Sequence, residues 1–377
     1  MVLLIGNYRP DQQQSMQRFA SMMLHGLIAA GVDAELIEPK SLLGNFRLAG
    51  SFVAKWLAYL DKFILFPRQL RRRLRSAPAP SIVHICDHSN SPYAKAVRTS
   101  PLVVTCHDLL AVRGALGEET DSPASRTGKI LQRWILSGLR RARTIVCVSR
   151  STLRDAEKFI PEAAGTGRFE HIPVGLNFPY RKLAPAIVDA RLAAVRELDL
   201  ARPFLLHVGS NLRRKNRDGV LRIFARYAKN CNAQMVFAGD ALSPELCGIA
   251  RSLGIAGEII EVPAPANEML EALYNRATAL IFPSRFEGFG WPVIEAQACG
   301  CPIVCSNAGP LPEVAGDAAL LFDVQDEEGF ARGVAQLSDE EERDRWSARS
   351  LANARRFTAG EMITRYIEVY RGLAPEL

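Results

Sequence analysis

The sequence contains no apolar stretch long enough to cross a membrane. A transmembrane helix needs about eighteen consecutive apolar residues without charges, and every apolar run of this sequence is much shorter. The apolar run at residues 1–6 begins at once, without a basic leader before it or a small-residue cleavage site after it. We therefore expect residues 2–6 to form a β-strand rather than a signal peptide, and the chain to be a cytoplasmic globular protein.

The sequence also lacks the residue spacings of common metal sites. Cys299, Cys301 and Cys305 lie close together, but they do not have the paired two-residue spacing of a zinc site. No Asp-X-Asp pair stands out as a cation site. Other cysteines, such as Cys86 and Cys106, lie in or beside apolar runs and are expected to be reduced core thiols. The spacing of these residues therefore does not indicate a metal site.

The net charge of +7 over 377 residues is consistent with anionic partners but does not choose among them. Anionic substrates, an anionic membrane surface and nucleic acid all attract a basic protein. The hydrophobic content of 48% and the charged content of 23% are ordinary for a globular protein. A chain of this length is long enough for two domains.

Strand-like apolar runs alternate with helical segments through most of the chain. Residues 2–6 are an apolar run, residues 12–30 carry apolar side chains at helical spacing, and residues 32–37 are expected to form the next strand. This order predicts a parallel sheet, whose ligands bind beyond the carboxyl ends of the strands. The alternation restarts at residue 203, after a polar and helical stretch at residues 180–200. We place the hinge between two domains in that stretch.

Two polar segments of the first half follow strand ends. The loop at residues 7–15 contains Tyr8, and we interpret it either as a loop that contacts a substrate or as a solvated turn and helix cap. His107 follows an apolar strand and enters a long loop, a position that suits a cleft, although a structural role for a single histidine stays open. We assign His84 and His88 to a loop, because no third metal ligand accompanies them.

The segment at residues 52–75 interrupts the alternation. Its apolar side chains share one helical face, and its lysine and arginine side chains form a dense positive flank. Aromatic residues beside cations on an amphipathic helix suit an interface with anionic lipid. The alternative is a helix that packs on the sheet with a solvated basic end. We favour packing on the sheet for the apolar face, and a functional role for the arginine cluster. The apolar residues are Phe52, Val53, Trp56, Leu57, Leu60, Phe63 and Ile64, and the cations are Lys55, Lys62, Arg68, Arg71, Arg72, Arg73 and Arg75.

The stretch at residues 285–296, RFEGFGWPVIEA, joins a buried strand to a helix. Gly288 and Gly290 allow backbone conformations that other residues resist, and Pro292 suits the first turn of a helix. The N–H groups near Phe289 therefore point out of a helix N-terminus, which is a place for a phosphate or diphosphate.

Two glutamates frame this stretch. Glu287 lies in the loop and Glu295 lies about one turn into the helix, with seven residues between them. The helix dipole alone also favours acidic residues near a helix N-terminus. The pair by itself therefore leaves a purely structural interpretation open.

A cationic loop begins the second half. The strand at residues 203–209 ends in Gly209, and Ser210 and Asn211 follow it. Arg214 and Lys215 then precede the next helix. Cations between a strand and a helix N-terminus suit an anionic phosphate, and the alternative is a solvent loop that happens to be basic.

The combination of these motifs resembles the donor-binding site of retaining glycosyltransferase family 4, the glycosyl transferases group 1. The likeness rests on the Glu, Gly-Phe-Gly, Pro, Glu pattern and on the Arg-Lys-Asn loop. It implies the α/β GT-B fold, with two Rossmann-like domains whose parallel sheets face each other across a cleft. Residues 1–185 would be the acceptor-binding domain, with a C-terminal helix at 358–377 packed back on it, and residues 195–357 the donor-binding domain.

The resemblance also implies a role for each site residue. Arg214 and Lys215 would bind the diphosphate, and Glu295 would bind the ribose. Glu287 would contact the transferred sugar and stabilise the positive charge that develops at its anomeric carbon. His107 would position the sugar or the acceptor. The base would lie against the backbone near Val262 and Pro263. Further donor contacts would come from Gly209, Ser210, Asn211, Gly288, Phe289 and Gly290, and an acceptor contact from Tyr8.

The activity that the resemblance implies is transfer of a sugar, with mannose the first choice, from a GDP- or UDP-linked nucleotide sugar. The acceptor would be a glycan or lipid-linked molecule of cell-surface polysaccharide synthesis, without metal, cofactor or nucleic acid. The enzyme would be cytoplasmic or peripheral on the inner face of the cytoplasmic membrane. The alternatives are a nucleotide-sugar epimerase of the same fold and a non-catalytic nucleotide-sugar-binding scaffold. The four charged residues, Arg214, Lys215, Glu287 and Glu295, argue against a dead site.

Overall fold

The computed structural model describes residues 1–11, 13–42, 51–76, 79–118, 120–121, 124–228 and 231–377, and only the backbone at 51–55. Two compact units make up the chain. The first contains residues 1–177 and 359–377, and the second contains residues 178–358. Each unit is an α/β structure with its own sheet.

Each sheet has six strands. The strands of the first unit are β1 (Val2–Ile5), β2 (Ala34–Ile37), β3 (Ile82–Ile85), β4 (Leu102–Cys106), β5 (Thr144–Cys147) and β6 (Phe169–His171). Those of the second unit are β7 (Phe204–Gly209), β8 (Gln234–Gly239), β9 (Ile259–Pro263), β10 (Ala279–Phe282), β11 (Ile303–Ser306) and β12 (Leu320–Phe322).

Helices connect the strands in both units. The first part of the chain forms α1 (Gln14–Ala29), α2 (Ser51–Leu60), α3 (Phe66–Arg75), α4 (Leu110–Ala115), α5 (Arg126–Leu139) and α6 (Arg150–Phe159). The remainder forms α7 (Pro185–Leu192), α8 (Arg217–Ala228), α9 (Pro244–Ser252), α10 (Asn267–Arg276), α11 (Trp291–Ala298), α12 (Leu311–Ala315), α13 (Glu327–Gln336), α14 (Glu340–Ala354) and α15 (Ala359–Leu373). A π-helical turn, Asp61–Leu65, joins α2 to α3.

Both sheets are parallel, and in each the strand order reverses once. The order is β2-β1-β3-β4-β5-β6 in the first unit and β12-β11-β10-β7-β8-β9 in the second. The chain therefore leaves the adjacent strands β1 and β3, and likewise β7 and β10, in opposite directions. Ligands of such sheets bind in the crevice between loops that diverge in this way. The predicted α/β class with two parallel sheets is confirmed.

A buried hydrogen-bond network attaches α15 to the sheet of the first unit. The hydroxyl of Tyr366 lies 2.7 Å from Oγ1 of Thr105, and the hydroxyl of Tyr370 lies 2.7 Å from Nδ1 of His84. The other ring nitrogen of His84, Nε2, lies 2.8 Å from the same Thr105 oxygen. Our assignment of His84 to a loop is wrong, because it is a buried residue of β3. Burial lowers its pKa to about 3, so the imidazole is neutral.

Residues 178–185 belong to the second unit, whereas we expected the first domain to contain residues 1–185. Two backbone N–H groups of this segment donate to side chains of α10. The N–H of Arg181 donates to Oε1 of Glu271 at 3.1 Å, and that of Leu183 donates to Oδ1 of Asn275 at 2.8 Å. These bonds attach the segment to the second unit before α7 begins.

The helical segment from α2 to α3 divides its apolar residues between the core and the surface. Phe66 and Leu70 are buried, and the ring of Phe63 packs 4.9 Å from that of Trp134. The exposed fractions are 54% for Trp56, 38% for Leu60 and 42% for Ile64. The side chains of Phe52, Val53 and Lys55 lie outside the described residues. None of the helices in the described part of the chain is long and apolar enough to span a membrane.

Replacing Tyr370 with phenylalanine tests the network that holds α15. The substitution leaves Nδ1 of His84 buried without its partner, which costs about 1–3 kcal/mol. We therefore expect a lower midpoint of urea denaturation for Tyr370→Phe than for the unmodified protein. Tyr59→Phe is the control, because the Tyr59 hydroxyl makes no hydrogen bond with the rest of the described chain. Equal midpoints for the two variants would contradict the network.

Candidate functional site

The two loops at the reversal point of the second sheet are bonded to each other. The N–H of Arg285, after β10, donates to the carbonyl of Arg214, after β7, at 2.7 Å. Asn216 adopts a left-handed conformation with φ 55°, which asparagine tolerates better than most residues. Its Nδ2 donates to the carbonyl of Pro283 at 3.0 Å. These contacts hold the loops after β7 and β10 in one arrangement.

A carboxylate and two cations meet between these loops. Nζ of Lys215 lies 2.6 Å from Oε1 of Glu287, and Nη1 of Arg214 lies 2.9 Å from Oε2. Lys215 is 8% exposed and Glu287 is 6% exposed. The ammonium group of Lys215 also lies 4.9 Å from the centre of the Phe282 ring. Because one carboxylate faces two cations, the cluster carries a net positive charge that suits an anionic ligand.

Burial and pairing compete in setting the pKa values of this cluster. At Glu287 burial raises the pKa, but the attraction of Lys215 and Arg214 outweighs it, and the pKa lies below its ordinary value. At Lys215 burial lowers the pKa more than the attraction of Glu287 raises it. Pairing therefore dominates at the carboxylate and burial at the ammonium group. Glu287 is ionised at neutral pH.

The helix after Glu287, α11, begins as the sequence predicts. Gly290 precedes it with φ 107°, and a Cβ atom there would lie 2.8 Å from Cδ2 of Leu311, so this position requires glycine. Phe289 is buried and packs edge-on against the ring of Phe357 at 5.6 Å. Gly288 lies in the loop between Glu287 and Phe289. The conformation of Gly290 and the packing of Phe289 thus fix the backbone at the start of α11.

The second glutamate of the motif is buried inside α11. Oε2 of Glu295 accepts a hydrogen bond from the Tyr274 hydroxyl at 3.0 Å. Burial and the charge of Glu295 raise the pKa of Tyr274 well above its ordinary value, so the tyrosine keeps its proton and donates. This bond fixes the orientation of the Glu295 carboxylate.

The carboxyl ends of β7, β8 and β9 lie side by side. Gly209 is in register with Gly239, and Gly239 with Pro263. Gly239 has φ 124°, and a Cβ atom there would lie 2.2 Å from the carbonyl oxygen of Gly209. The neighbouring Val262 is buried, and Pro263 is exposed. Only glycine at position 239 therefore allows the ends of β7 and β8 to lie this close together.

Arg217 joins these strand ends and was not identified from the sequence. It is buried, and its Nη2 donates to the Gly209 carbonyl at 2.6 Å. Its Nη1 donates to the carbonyl of Asp240 at 2.8 Å and to Oδ1 of Asn211 at 2.7 Å. Burial lowers the pKa of Arg217 to about 10, so it remains charged at neutral pH. The guanidinium stacks over the Phe237 ring at 5.3 Å.

One sequence signal points to Arg217. It occupies the first turn of α8, where the helix dipole disfavours a cation. A basic residue in that position needs acceptors from elsewhere in the fold. Ser210, which precedes Asn211 in the same loop, is half-buried.

His107 lies directly after β4 in the first unit. It is buried, its Nε2 donates to the carbonyl of Cys86 at 2.9 Å, and its ring packs edge-on against Phe19 at 4.8 Å. Burial lowers its pKa, so the ring is neutral at neutral pH. Because the carbonyl can only accept, Nε2 carries the proton and Nδ1 is an acceptor.

The loops at the reversal point of the first sheet are also bonded to each other. Nδ2 of Asn7, after β1, donates to Oδ2 of Asp87, after β3, at 2.6 Å. Both residues are buried. Asn7 belongs to the loop at residues 7–15 that we interpret as a possible substrate contact, whereas Asp87 was not identified from the sequence. The hydroxyl of the predicted contact residue Tyr8 is buried and lies 3.0 Å from Oγ of Ser41 and 3.1 Å from Oδ2 of Asp61. Its predicted role in acceptor binding stays a prediction.

The structure thus brings together Arg214, Lys215 and Glu287 in the second unit, and places His107 and Tyr8 in the first. Throughout the described chain, no group of three or more His, Cys, Asp or Glu residues is arranged to hold a metal ion.

Comparison with family models identifies the chain. The model described as glycosyl transferases group 1 matches residues 190–352, and the model described as glycosyltransferase family 4 matches residues 16–178. The chain belongs to glycosyltransferase family 4. The matched ranges of this family 4 protein divide between the two compact units.

Two curated relatives have informative names. O-antigen chain mannosyltransferase B of Escherichia coli is 42% identical over 106 residues, which are 28% of this chain and 28% of that protein. D-inositol 3-phosphate glycosyltransferase of Segniliparus rotundus is 30% identical over 291 residues, 73% of this chain and 63% of that protein. The match spans less than two-thirds of the length of either relative.

Solved structures share the fold of this family 4 protein over nearly its whole length. Sucrose-phosphate synthase from Thermosynechococcus elongatus has a TM-score of 0.79 at 17% identity, covering 100% of this chain and 99% of that one. WaaG, a glycosyltransferase involved in lipopolysaccharide biosynthesis, has 0.71 at 16% identity, covering 99% and 100%. Anabaena HepE in complex with UDP-glucose has 0.71 at 16% identity, covering 99% of each chain. The predicted family and GT-B fold are confirmed.

Substituting alanine for Gly239 tests the close approach of the strand ends. The added Cβ atom collides with the Gly209 carbonyl, and the positive φ strains any other residue, at a cost of about 1–3 kcal/mol. We expect a lower melting temperature for Gly239→Ala. Gly248→Ala is the control, because Gly248 lies in α9 with nothing within 4 Å of the added atom. That change should stabilise the helix by about 0.5–1 kcal/mol. A Gly239→Ala protein as stable as the unmodified one would refute the constraint.

Proposed function

We propose that this family 4 protein transfers a hexose, in the first place mannose, from a nucleoside diphosphate sugar to a glycan or lipid-linked acceptor, with retention at the anomeric carbon. The observation that carries the proposal is the buried cluster in which Arg214 and Lys215 converge on Glu287. It provides a net positive charge and a carboxylate at the loop crevice of a doubly wound sheet.

The cations would stabilise the leaving group. A nucleoside diphosphate gains negative charge as the glycosidic bond breaks, and preorganised cations lower the barrier most effectively when they are buried. Glu287 already holds Arg214 and Lys215 in place. The N-terminus of α11 adds its dipole to the same loop. We propose that these groups stabilise the leaving group without a metal ion.

The carboxylates would act on different parts of the donor. Glu287 would contact the hydroxyl groups of the transferred sugar and stabilise the positive charge at its anomeric carbon. Glu295 would accept hydrogen bonds from the ribose hydroxyl groups, and its bond to Tyr274 supports this role by fixing the carboxylate. His107 would accept a hydrogen bond through Nδ1 from a hydroxyl group of the sugar or the acceptor.

Relatives support the choice of donor and pathway. The Escherichia coli relative is named a mannosyltransferase of the O-antigen chain. WaaG is described as acting in lipopolysaccharide biosynthesis, and HepE binds UDP-glucose. We therefore propose a GDP- or UDP-linked donor and an acceptor of cell-surface polysaccharide synthesis, with the enzyme at the inner face of the cytoplasmic membrane.

Charge-neutral variants of the two glutamates test the proposed roles. With GDP-mannose and a lipid-linked glycan acceptor, Glu287→Gln should lower the transfer rate about 10²–10³-fold, because it removes charge stabilisation of the transition state. Glu295→Ala should mainly weaken GDP affinity in calorimetric titration, with UDP as the comparison. Glu271→Gln is the control, because Glu271 is a buried carboxylate paired with Arg191, in contact with none of the proposed donor residues. Thermal unfolding is measured for all three variants.

Wild-type transfer rates for Glu287→Gln would refute its role in the reaction, and unchanged nucleotide affinity for Glu295→Ala would refute the ribose contact. The same assays separate the alternatives. An epimerase interconverts nucleotide sugars without an acceptor, whereas a scaffold binds the nucleotide sugar but neither transfers nor hydrolyses it.

We also propose that the protein binds an anionic membrane surface peripherally through the segment from α2 to α3. Trp56, Leu60 and Ile64 are exposed there, and Arg71 and Arg72 lie on the same segment. Apolar side chains beside cations suit the interface of an anionic bilayer.

Vesicle sedimentation at low salt tests membrane binding. Trp56→Ser with Ile64→Ser should reduce binding to phosphatidylglycerol vesicles severalfold, and neutral vesicles should bind the unmodified protein weakly. The control is Ile187→Ser with Leu253→Ser, which removes two exposed apolar side chains from the second unit. Absence of binding of the unmodified protein to anionic vesicles would remove the proposal.

A further inference from the structure

The first unit has a cavity at the edge of its sheet where the strands begin. Its volume is about 560 Å³, and it lies beside Leu102, the first residue of β4. The segment from Val97 to Leu102, the residues before β5 and the last turn of α15 line it. His107 follows the other end of β4, so the cavity is separate from the predicted site at the carboxyl ends of the strands.

Three arginines give this cavity a strong positive charge. Arg98, Arg141 and Arg143 line it, and the described lining contains no aspartate or glutamate. Within the described residues none of the three forms an ion pair. Arg140, next to Arg141 in the chain, does form one, with Glu162 at 2.8 Å. All three side chains are exposed. Unpaired cations beside one cavity repel each other, and an anion bound among them would reduce that repulsion.

The backbone around the arginines is held by hydrogen bonds. The N–H of Arg143 donates to the carbonyl of Leu102 at 2.8 Å, and the N–H of Arg141 donates to that of Gly138 at 3.0 Å. Oγ of Ser100 donates to the carbonyl of Pro80 at 2.7 Å. A ligand would therefore meet a preformed backbone frame, and the exposed arginine side chains would become ordered on binding.

We propose that this cavity binds a small phosphorylated molecule of about the size of a sugar phosphate, through Arg98, Arg141 and Arg143. Its volume lies within the roughly 300–1,000 Å³ of small-molecule sites. The planar guanidinium group forms two parallel hydrogen bonds with a phosphate and keeps its charge at every physiological pH. The ligand would connect the start of the sheet to the last turn of α15. The proposal does not depend on the proposed transfer activity.

Calorimetric titration with inorganic pyrophosphate at low salt tests the site. We expect two classes of binding in the unmodified protein, one at the cluster of Arg214 and Lys215 and one in this cavity. The triple variant Arg98→Gln, Arg141→Gln, Arg143→Gln should weaken one class about a hundredfold or more, because charge-assisted hydrogen bonds are lost. The other class should remain. A matched control, Arg126→Gln, Lys129→Gln, Arg133→Gln, removes three exposed cations of α5 outside the cavity and should change neither class.

Arginine modification in the unmodified protein gives a second measurement that does not depend on folding of the variants. Pyrophosphate should slow the reaction of phenylglyoxal with Arg98, Arg141 and Arg143, as followed by peptide mass spectrometry, and should leave Arg133 unprotected. Equal protection of all arginines, or equal titrations for the triple variant and the unmodified protein, would refute the site. A protein that binds phosphatidylglycerol vesicles through these three arginines, but does not bind pyrophosphate, would have a site for a lipid headgroup instead. That result would also overturn the proposal.

Discussion

The buried contact of Glu287 with Lys215 and Arg214 forms only if the loops of the second unit hold these three side chains together. A charge removed from water is tolerated only when a partner and further hydrogen bonds replace the lost hydration. Glu287 and Lys215 are separated by 72 residues in the chain. Their contact therefore depends on the pairing of β7 with β10 and on the bonds that Asn216 and Arg285 make between the two loops. Strand order brings the charges to one place, and the loop bonds orient them.

A comparable arrangement recurs at both reversal points. In the first unit Asn7 joins the loop after β1 to Asp87 after β3, and in the second unit Asn216 joins the loop after β7 to Pro283 after β10. An asparagine amide suits this position because it donates and accepts within a short side chain. Arg217 adds a further bridge between the ends of β7 and β8. Buried polar side chains thus join neighbouring loops by hydrogen bonds, as backbone hydrogen bonds join neighbouring strands within the sheet.

The sequence predicts the elements of this fold better than their contacts. Apolar runs mark strands such as β1 and β10, because strands covered on both faces need side chains that tolerate complete burial. His84 was wrongly assigned to a loop when it was considered with His88 as a possible metal ligand. The sequence does not show that Tyr370, from the far end of the chain, bonds to its ring in a buried strand position.

The candidate site divides in the same way. Spacing places Glu287 and Glu295 in the correct loop and helix, but the ion pair between Glu287 and Lys215 joins two distant segments and leaves no periodic trace. Arg217 was missed because two of its three acceptors are backbone carbonyl groups, which look alike in every sequence.

The return of α15 to the first unit has a consequence for synthesis of the chain. Residues 359–377 belong to the same compact unit as residues 1–177, so the second unit is an insertion within the first. During vectorial translation all of residues 178–358 leave the ribosome before Tyr366 and Tyr370 reach Thr105 and His84. Domains generally fold as units as they emerge. The unit whose synthesis starts first is therefore completed last, when α15 has emerged and covers its face of the sheet.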